Sequence, residues 1–354
     1  MKRFFLLLFL VVIALYGKPL KEASFYEKLK NKYVRCLLCP KYCIISPGKL
    51  GFCRARKNIN GVLYSLGYSK PCAVAVDPIE KKPFFHFLPG TKAFSIASAG
   101  CSLRCKYCQN WQISQFSPEQ TKNYYLPPSK VVEYAKKYKC SSIAYTYSEP
   151  VNFYEYMIDT AKIAKKEGIK NVVHTAGYIN PKPLENLCPY IDAVNVDLKG
   201  FNEKFYKNIC GADLKTVLNT LKILKKHKIW IEITNLIVPG YNDKPEEIKK
   251  MCLWIKENLG PGTPVHFSRF YPKYKMLHLP STPVKTLEKA VEIAKKAGLK
   301  YVYIGNVPGH KFENTYCPKC GKILIKRIGF TVIENNIVNG KCKFCGEKIE
   351  GVWK

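Results

Sequence analysis

The sequence predicts an α/β fold in which parallel strands alternate with helices, arranged as a partial (β/α)6 barrel. Between residue 93 and about residue 305, short runs rich in β-branched residues alternate with longer amphipathic stretches. Strands and helices that alternate at this pace are typical of βα units, whose strands pair in parallel. Six units are too few to close an eight-stranded barrel. Cysteine-rich stretches before and after them predict two smaller metal-binding regions.

The six predicted strands read AFSIASA, SSIAYTY, NVVHTA, DAVNVDL, WIEITNLIV and VHFSRF. Apolar residues at helical spacing lie between them, as in PVNFYEYMIDTAKIAKKEG and PEEIKKMCLWIKENLG, where Gly168 and Gly260 mark the helix ends. We divide the chain into an anchor or signal-like segment (1–20), a cysteine-rich segment (21–90), the barrel (91–310) and a C-terminal lobe (311–354).

Composition limits the class of protein. The chain has 354 residues, 47% of them hydrophobic, and no low-complexity tract, so several folded units are expected. Most of its 16 cysteines stand in metal-type spacings, which favours a reducing compartment over a disulfide-rich secreted domain. The formal net charge of +32 favours acidic partners or anionic ligands, although many lysines lie along predicted helices, as on solvated faces.

The N-terminus, MKRFFLLLFLVVIALYG, has two basic residues before an apolar run from Phe4 to Tyr16. This run has the length of a signal-peptide core and is shorter than an ordinary membrane span. Leu15 and Gly17 match the small-residue rule for signal cleavage poorly. We therefore expect a cytoplasmic protein, with residues 4–16 as a candidate tether to the inner membrane.

Three cysteines follow the first predicted strand, in GCSLRCKYC. Cys101, Cys105 and Cys108 are separated by three and then two residues, a spacing that can wrap one 4Fe-4S cluster. Such a cluster normally takes four thiolates, so three ligands leave one iron open as the candidate reactive position. Zinc, or a redox pair of Cys105 and Cys108, is the alternative.

Two further cysteine groups flank the barrel. The N-terminal group consists of Cys36, Cys39, Cys43 and Cys53. Its spacing suits one metal ion or a second cluster and does not separate zinc from iron–sulfur, and a metal-free segment is a third alternative. The C-terminal group consists of Cys317, Cys320, Cys342 and Cys345. Its two C-x-x-C-G knuckles predict a structural zinc-ribbon or rubredoxin-like site, holding zinc or iron, without which so small a lobe buries too little surface to fold.

The other cysteines are scattered and are expected to be small core residues: Cys72, Cys140, Cys188, Cys210 and Cys252. In parallel βα folds the active site lies at the carboxyl ends of the strands. The polar residues at predicted strand ends are Glu149, Thr175, Asp197, Lys199, Asn235, His266 and Arg269. His266 has apolar neighbours and also fits a core histidine. A carboxylate at position 149 can accept an ammonium group.

The segment with Cys101 to Cys108 resembles the signature of radical S-adenosylmethionine (radical SAM) enzymes, with Tyr107 as the aromatic residue before the last cysteine. Further similarity lies in VAVDPIEKKPFFHFLPG, YTYSEP, LIVPGYND, HFSRFYPKYKM and both flanking cysteine groups. From Arg35 to Trp353 the chain resembles the radical SAM enzymes of the AmmeMemoRadiSam system, relatives of the pyruvate formate-lyase-activating enzymes. Ser102 stands where that family commonly has asparagine.

The resemblance implies a partial barrel, a 4Fe-4S cluster and S-adenosylmethionine, which is cleaved to methionine and a 5'-deoxyadenosyl radical that abstracts hydrogen from a substrate. Glu149 matches the last residue of the family's Gly-Gly-Glu motif, and Tyr147 and Ser148 replace the glycines. We expect the residues in contact with the cofactor to be Tyr107, Glu149, Thr175, Asp197 and Asn235, and we assign no catalytic residue beyond the cluster.

The same resemblance implies Memo-class and AMME-class companion proteins and an electron donor such as flavodoxin or ferredoxin. The substrate is unidentified; as with glycyl-radical activases, it is expected to be a partner protein or a small molecule. Two alternatives stay open. One is a radical SAM enzyme that modifies RNA, favoured by charge alone, and the other is a non-catalytic zinc protein. We do not expect nucleic-acid binding, because the C-terminal lobe shows no aromatic stacking platform.

Overall fold

A computed structural model describes residues 20–354. Residues 21–65 form six short strands in two antiparallel three-stranded sheets. These strands are β1 (Lys21–Glu22), β2 (Tyr26–Lys28), β3 (Val34–Cys36), β4 (Ile44–Ile45), β5 (Arg56–Ile59) and β6 (Val62–Ser65). The strand orders are β1-β6-β5 and β2-β3-β4. The N-terminal cysteine group therefore lies on hairpins that precede the main sheet.

An eight-stranded sheet forms the centre of the molecule, and its strands stand side by side in chain order. They are β7 (Ala73–Pro78), β8 (Lys92–Ala97), β9 (Ser142–Tyr145), β10 (Lys170–Thr175), β11 (Ala193–Asp197), β12 (Trp230–Ile237), β13 (Val265–Arg269) and β14 (Val302–Gly305). Strands β8 to β14 are parallel, and β7 pairs with β8 in the antiparallel sense. The six predicted strands correspond to β8–β13, and β14 adds a seventh parallel strand.

Helices connect the successive parallel strands. They are α1 (Trp111–Ser114), α2 (Pro128–Lys137), α3 (Tyr154–Lys166), α4 (Pro181–Leu187), α5 (Glu203–Phe205), α6 (Leu214–Lys226), α7 (Pro245–Leu259) and α8 (Val284–Lys296). Helices α3 and α7 end just before Gly168 and Gly260, as predicted. Buried parallel strands read as continuous apolar runs rather than alternating ones, because both faces of the sheet are covered.

The two faces of the sheet are covered differently. Ile143, Val173 and Val194 belong to the large core that includes the helices, whereas the alternate strand residues contact residues 79–88. That second cluster consists of Ile79, Phe84, Phe87, Leu88, Ala93, Ala144, Val172 and Ala193. The carboxylate of Glu232 holds this segment by accepting the N–H groups of Phe85 (2.9 Å) and His86 (2.8 Å).

The C-terminal lobe contains the last five strands. They are β15 (Thr315–Tyr316), β16 (Ile323–Ile328), β17 (Thr331–Asn335), β18 (Ile337–Val338) and β19 (Lys341–Cys342). Buried Arg327 joins the lobe to the segment at 79–88, because it donates to the Phe85 carbonyl (2.8 Å) and pairs with Glu80 (3.6 Å). The lobe is therefore packed against the region that fills one face of the sheet.

The expectation of a membrane tether needs correction. Within residues 20–354, no helix is long and apolar enough to cross a membrane. Residues 4–16, to which the sequence assigned the tether, lie outside the residues that the structure describes.

Candidate active site

A cavity of about 530 Å³ lies at the carboxyl ends of the parallel strands. It brings together most of the residues that the sequence proposed for the cluster and the cofactor. Those that line it are Cys101, Cys105, Tyr107, Cys108, Glu149, Thr175, Asp197 and Lys199. Strand order explains the convergence, since the ends of neighbouring parallel strands meet at one edge of the sheet.

The three-cysteine loop follows β8 and is held by main-chain hydrogen bonds from two sides. The Cys101 N–H donates to the Cys53 carbonyl (3.1 Å) in the N-terminal segment, and the Arg104 N–H donates to the Cys210 carbonyl (2.8 Å). Cys210 ends a π-helical turn, Tyr206–Cys210. The sequence predicts this cysteine as a core residue; it is buried, and its sulfur also lies 3.5 Å from the Tyr107 hydroxyl.

The donor set fits a cluster better than a single ion. The sulfurs of Cys101, Cys105 and Cys108 do not all lie within 4.8 Å of one another, the separation that residues around one metal ion satisfy. A 4Fe-4S cube binds each cysteine to a different iron, so its thiolates stand farther apart than those around one ion. The Leu103 N–H and Ser114 hydroxyl lie 3.4 and 3.1 Å from the sulfurs of Cys101 and Cys108.

Glu149 is buried beside these cysteines, at the start of the turn after β9. Its carboxylate accepts hydrogen bonds from the Thr175 hydroxyl (2.5 Å), the Ala176 N–H (2.8 Å) and the Val151 N–H (3.2 Å). Burial raises the pKa of Glu149, although these donors oppose the shift. Because a carboxylate offers about four acceptor positions, one remains for another donor.

Tyr147 stands where the related motif has a glycine, and its backbone φ is 63°. A non-glycine residue seldom adopts this left-handed conformation, and such strain concentrates at functional sites. The Tyr147 hydroxyl donates to Asp77, and the Asn110 amide donates to the Tyr147 carbonyl (2.7 Å). The hydrogen bonds at the hydroxyl and at the carbonyl of Tyr147 therefore hold it in the left-handed backbone conformation that glycine would favour.

A charged group occupies another wall of the cavity. Asp197 lies 3.0 Å from His174 Nε2 and 2.9 Å from Lys199 Nζ. Burial opposes ionisation of Asp197, but Lys199 and His174 hold the pKa of its carboxyl well below its usual range. The wall therefore presents an ionised acceptor next to a cationic donor.

Some predicted residues lie elsewhere. Asn235 does not line the cavity, because strand alternation turns its neighbours Thr234 and Leu236 toward it instead. Asn235 donates to the Leu198 carbonyl (2.7 Å). His266 is a buried partner of Glu232 (2.8 Å), as the core interpretation expected.

The sequence missed several cavity residues. His174 precedes Thr175 at the end of β10, so the strand-end rule could have identified it as well. Lys82 and Phe330 carried no such signal, since they reach the cavity from the segment at 79–88 and from the C-terminal lobe. Burial lowers the pKa of Lys82 to about 8, against the opposing effect of its Asp77 partner at 2.7 Å.

The C-terminal cysteines form a compact group. Their four sulfurs all lie within 4.8 Å of one another, and the Cys317–Cys345 and Cys320–Cys342 pairs are 3.6 and 3.8 Å apart. Metal–sulfur bonds of about 2.3 Å place the sulfurs of a tetrahedral site about 3.8 Å apart. The group can therefore bind one tetrahedral metal ion.

The comparisons with known proteins agree with this geometry. The family model described as the radical SAM superfamily matches residues 95–255, which contain the three-cysteine loop and Glu149. The chain belongs to the radical SAM superfamily. This radical SAM enzyme is 52% identical to "Uncharacterized protein MJ0808" of Methanocaldococcus jannaschii, over 94% of its own length and 99% of that protein.

The radical SAM enzyme is also related to activating enzymes. It is 30% identical to the pyruvate formate-lyase-activating enzyme of Clostridium pasteurianum, over 44% of this chain and 66% of that one. Among solved structures, a radical SAM methyltransferase from Sphaerobacter thermophilus aligns with a TM-score of 0.49 at 14% identity, over 62% of this chain and 68% of that one. Membership in the superfamily implies a 4Fe-4S cluster and S-adenosylmethionine as cofactors.

Proposed function

We propose that this chain reductively cleaves S-adenosylmethionine in the cavity and acts on a partner protein, in the manner of an activating enzyme. The observation that carries the proposal is one shared cavity, lined by Cys101, Cys105, Cys108 and buried Glu149. Cys101, Cys105 and Cys108 would hold a 4Fe-4S cluster, which would supply the one electron needed to cleave S-adenosylmethionine to methionine and a 5'-deoxyadenosyl radical.

Glu149 suits the ammonium group of the cofactor. Three of its acceptor positions are already filled by Thr175, Ala176 and Val151, and these bonds fix the orientation of the carboxylate. Glu149 lines the cavity, where water is partly excluded and a charge-assisted hydrogen bond to the remaining position would be strong. Glu149 would therefore orient the amino end of S-adenosylmethionine toward the three-cysteine loop.

The Asp197 wall suits the other polar groups of the cofactor. Asp197, held by His174 and Lys199, is an ionised acceptor for ribose hydroxyls. Lys199 uses one N–H on Asp197 and keeps two for a carboxylate. Apolar Leu103 and Leu236 line the same cavity and reduce the access of water to a reactive carbon centre.

The finer assignments belong to the same proposal. We propose membership in the AmmeMemoRadiSam system, with Memo-class and AMME-class companions and a flavodoxin or ferredoxin as electron donor; a net charge of +32 supports acidic protein partners. A curved partial barrel is supported by the cavity, because successive strand ends line it: Thr146, His174, Asp197, Thr234, Ser268 and Asn306. Zinc is our proposed ion for the C-terminal group, whose sulfur spacing suits one tetrahedral ion.

The experiment compares anaerobically reconstituted protein with the Cys101→Ala/Cys105→Ala/Cys108→Ala variant. With dithionite as reductant, the parent should produce 5'-deoxyadenosine and the variant should not. Cys72→Ala is the matched control, since Cys72 lies in none of the three cysteine groups and should change nothing. Parent-like cleavage by the triple variant would overturn the proposal.

A second measurement isolates Glu149. Glu149→Ala should weaken binding of S-adenosylmethionine by ~1.5–3 kcal/mol, or ~10- to 150-fold in Kd, the range for a lost charged hydrogen bond. Glu149→Gln keeps the shape and should lose less. An unchanged Kd in both variants, with the cluster retained, would assign Glu149 a structural role instead.

A further inference from the structure

The N-terminal cysteine group surrounds a pocket of its own beside the catalytic loop. Cys36, Cys39, Cys43 and Cys53 all line it, and all of them except Cys43 are buried. The pairing of β3 with β4 brings two of them together, since the Cys36 N–H donates to the Cys43 carbonyl (3.0 Å). The match to the radical SAM family begins at residue 95, so it does not include these four cysteines.

The spacing of these sulfurs differs from that of the C-terminal group. Among residues 20–354, the four C-terminal cysteines satisfy the 4.8 Å spacing of ligands around one ion, and no three of the N-terminal four do. The C-terminal group therefore shows the sulfur spacing of a single-ion site, with which the N-terminal group can be compared. Four cysteines that line one pocket without meeting this single-ion spacing suit a cube, which carries one cysteine on each iron.

Polar donors and two basic side chains reach the pocket. The Phe52 N–H points at the Cys43 sulfur (3.4 Å), and Lys41 and Arg56 also line the pocket. N–H donors and nearby cations stabilise the ionised sulfur that binds metals.

We propose that Cys36, Cys39, Cys43 and Cys53 bind a second 4Fe-4S cluster. Its four thiolates occupy all four irons, so it has no open position for S-adenosylmethionine and differs in this respect from the cluster at Cys101. It lies next to the catalytic loop, because Cys53 accepts the Cys101 N–H (3.1 Å).

Arg104 makes a second connection between the two sites. Its guanidinium lies 3.8 Å from the centre of the Phe52 ring and donates to the Cys101 carbonyl (2.8 Å). It also donates to the Phe52 carbonyl. Phe52 is the neighbour of Cys53 in the chain. The same stretch of protein would therefore line both clusters.

The decisive sample is the Cys101→Ala/Cys105→Ala/Cys108→Ala variant, in which the N-terminal group is intact. After anaerobic reconstitution with iron and sulfide, the parent should hold about eight irons and eight acid-labile sulfides, and the variant about four of each. The remaining iron should give the Mössbauer spectrum of a 4Fe-4S cluster. The result does not depend on cleavage of S-adenosylmethionine, so it stands apart from the proposed function.

Further substitutions assign the remaining iron. Adding Cys36→Ser and Cys53→Ser to the triple variant should remove the iron and sulfide, whereas adding Cys72→Ser should leave both unchanged. Acid-labile sulfide separates a cluster from a single iron bound by the C-terminal group. The proposal is wrong if the triple variant contains no sulfide, whether the N-terminal group then binds zinc or no metal.

Discussion

Loss of the Glu155 carboxylate should destabilise the N-terminal cysteine segment more than any exposed change nearby. Glu155 lies in the first turn of helix α3, and Arg56 belongs to β5 of that segment. Each side chain is 1% exposed, and the Arg56 Nη2 lies 2.6 and 2.8 Å from the two carboxylate oxygens. The Ser24 N–H also donates to Glu155 (2.7 Å). The pair thus connects the segment to the barrel.

The expected magnitude follows from this burial. In Glu155→Ala the guanidinium stays buried without its counter-ion, which typically costs about 3–5 kcal/mol. Because whole proteins are stable by only about 5–15 kcal/mol, this loss should be visible in urea unfolding. The Arg56 Nε has no hydrogen-bond partner among the described residues. Replacing both partners, as Arg56→Met/Glu155→Leu, should therefore restore most of the stability.

The control is Glu119→Ala, which breaks the exposed ion pair (3.1 Å) between Glu119 and Lys57 of the same segment. An exposed pair is worth about 0–1 kcal/mol. Hydrogen exchange of residues 24–65 should rise in Glu155→Ala and stay near the parent level in Glu119→Ala. Equal effects of the two substitutions on unfolding and on exchange would refute the reasoning.

Three further predictions concern other parts of the fold. Burial lowers the pKa of His86 to about 4, so the unfolded chain binds more protons between pH 6.5 and 4, and stability should fall by about 1 kcal/mol from pH 6.5 to 5.5. Urea unfolding of His86→Gln should lack that part of the pH dependence. Gly100→Ala should loosen the catalytic loop, because the φ of Gly100 is +104° and a Cβ would lie 2.6 Å from the Cys53 carbonyl oxygen. The variant should retain less iron than the parent after gel filtration. Iron retention equal to that of the parent would contradict the prediction. Cys320→Ser/Cys345→Ser should remove one metal ion and raise protease sensitivity in residues 311–354; an unchanged metal content would contradict a shared site.

Local pattern predicted much of the fold. Strands β8–β13 were recognisable because buried parallel strands are short apolar runs, and the ends of α3 and α7 because glycine terminates helices. Strand β14 was missed although Asn306 follows it at the cavity, because its four residues end at a glycine and form a short run after α8. The strand-end rule found Glu149, Thr175 and Asp197, and strand alternation explains why Asn235 fell outside the cavity.

The sequence by itself determined the chemistry of the ligands. The cysteines of each group are close together in the sequence, as in Cys101, Cys105 and Cys108. The order of residues alone therefore determines how many thiolates lie near each site. The chain's membership in the radical SAM superfamily rests on the same local motifs.

Tertiary structure alone decided which distant residues meet. Three such contacts are the Cys53–Cys101 hydrogen bond, the approach of Phe330 to the Cys101 loop across the cavity, and the π-turn behind Tyr107. They join segments between 48 and more than 200 residues apart. Long-range packing, not local preference, fixes such contacts, because each depends on where whole elements dock. Among the described residues, tertiary structure also gives the C-terminal cysteines the spacing of a single-ion site, which the N-terminal group does not have. The order of residues does not encode this difference.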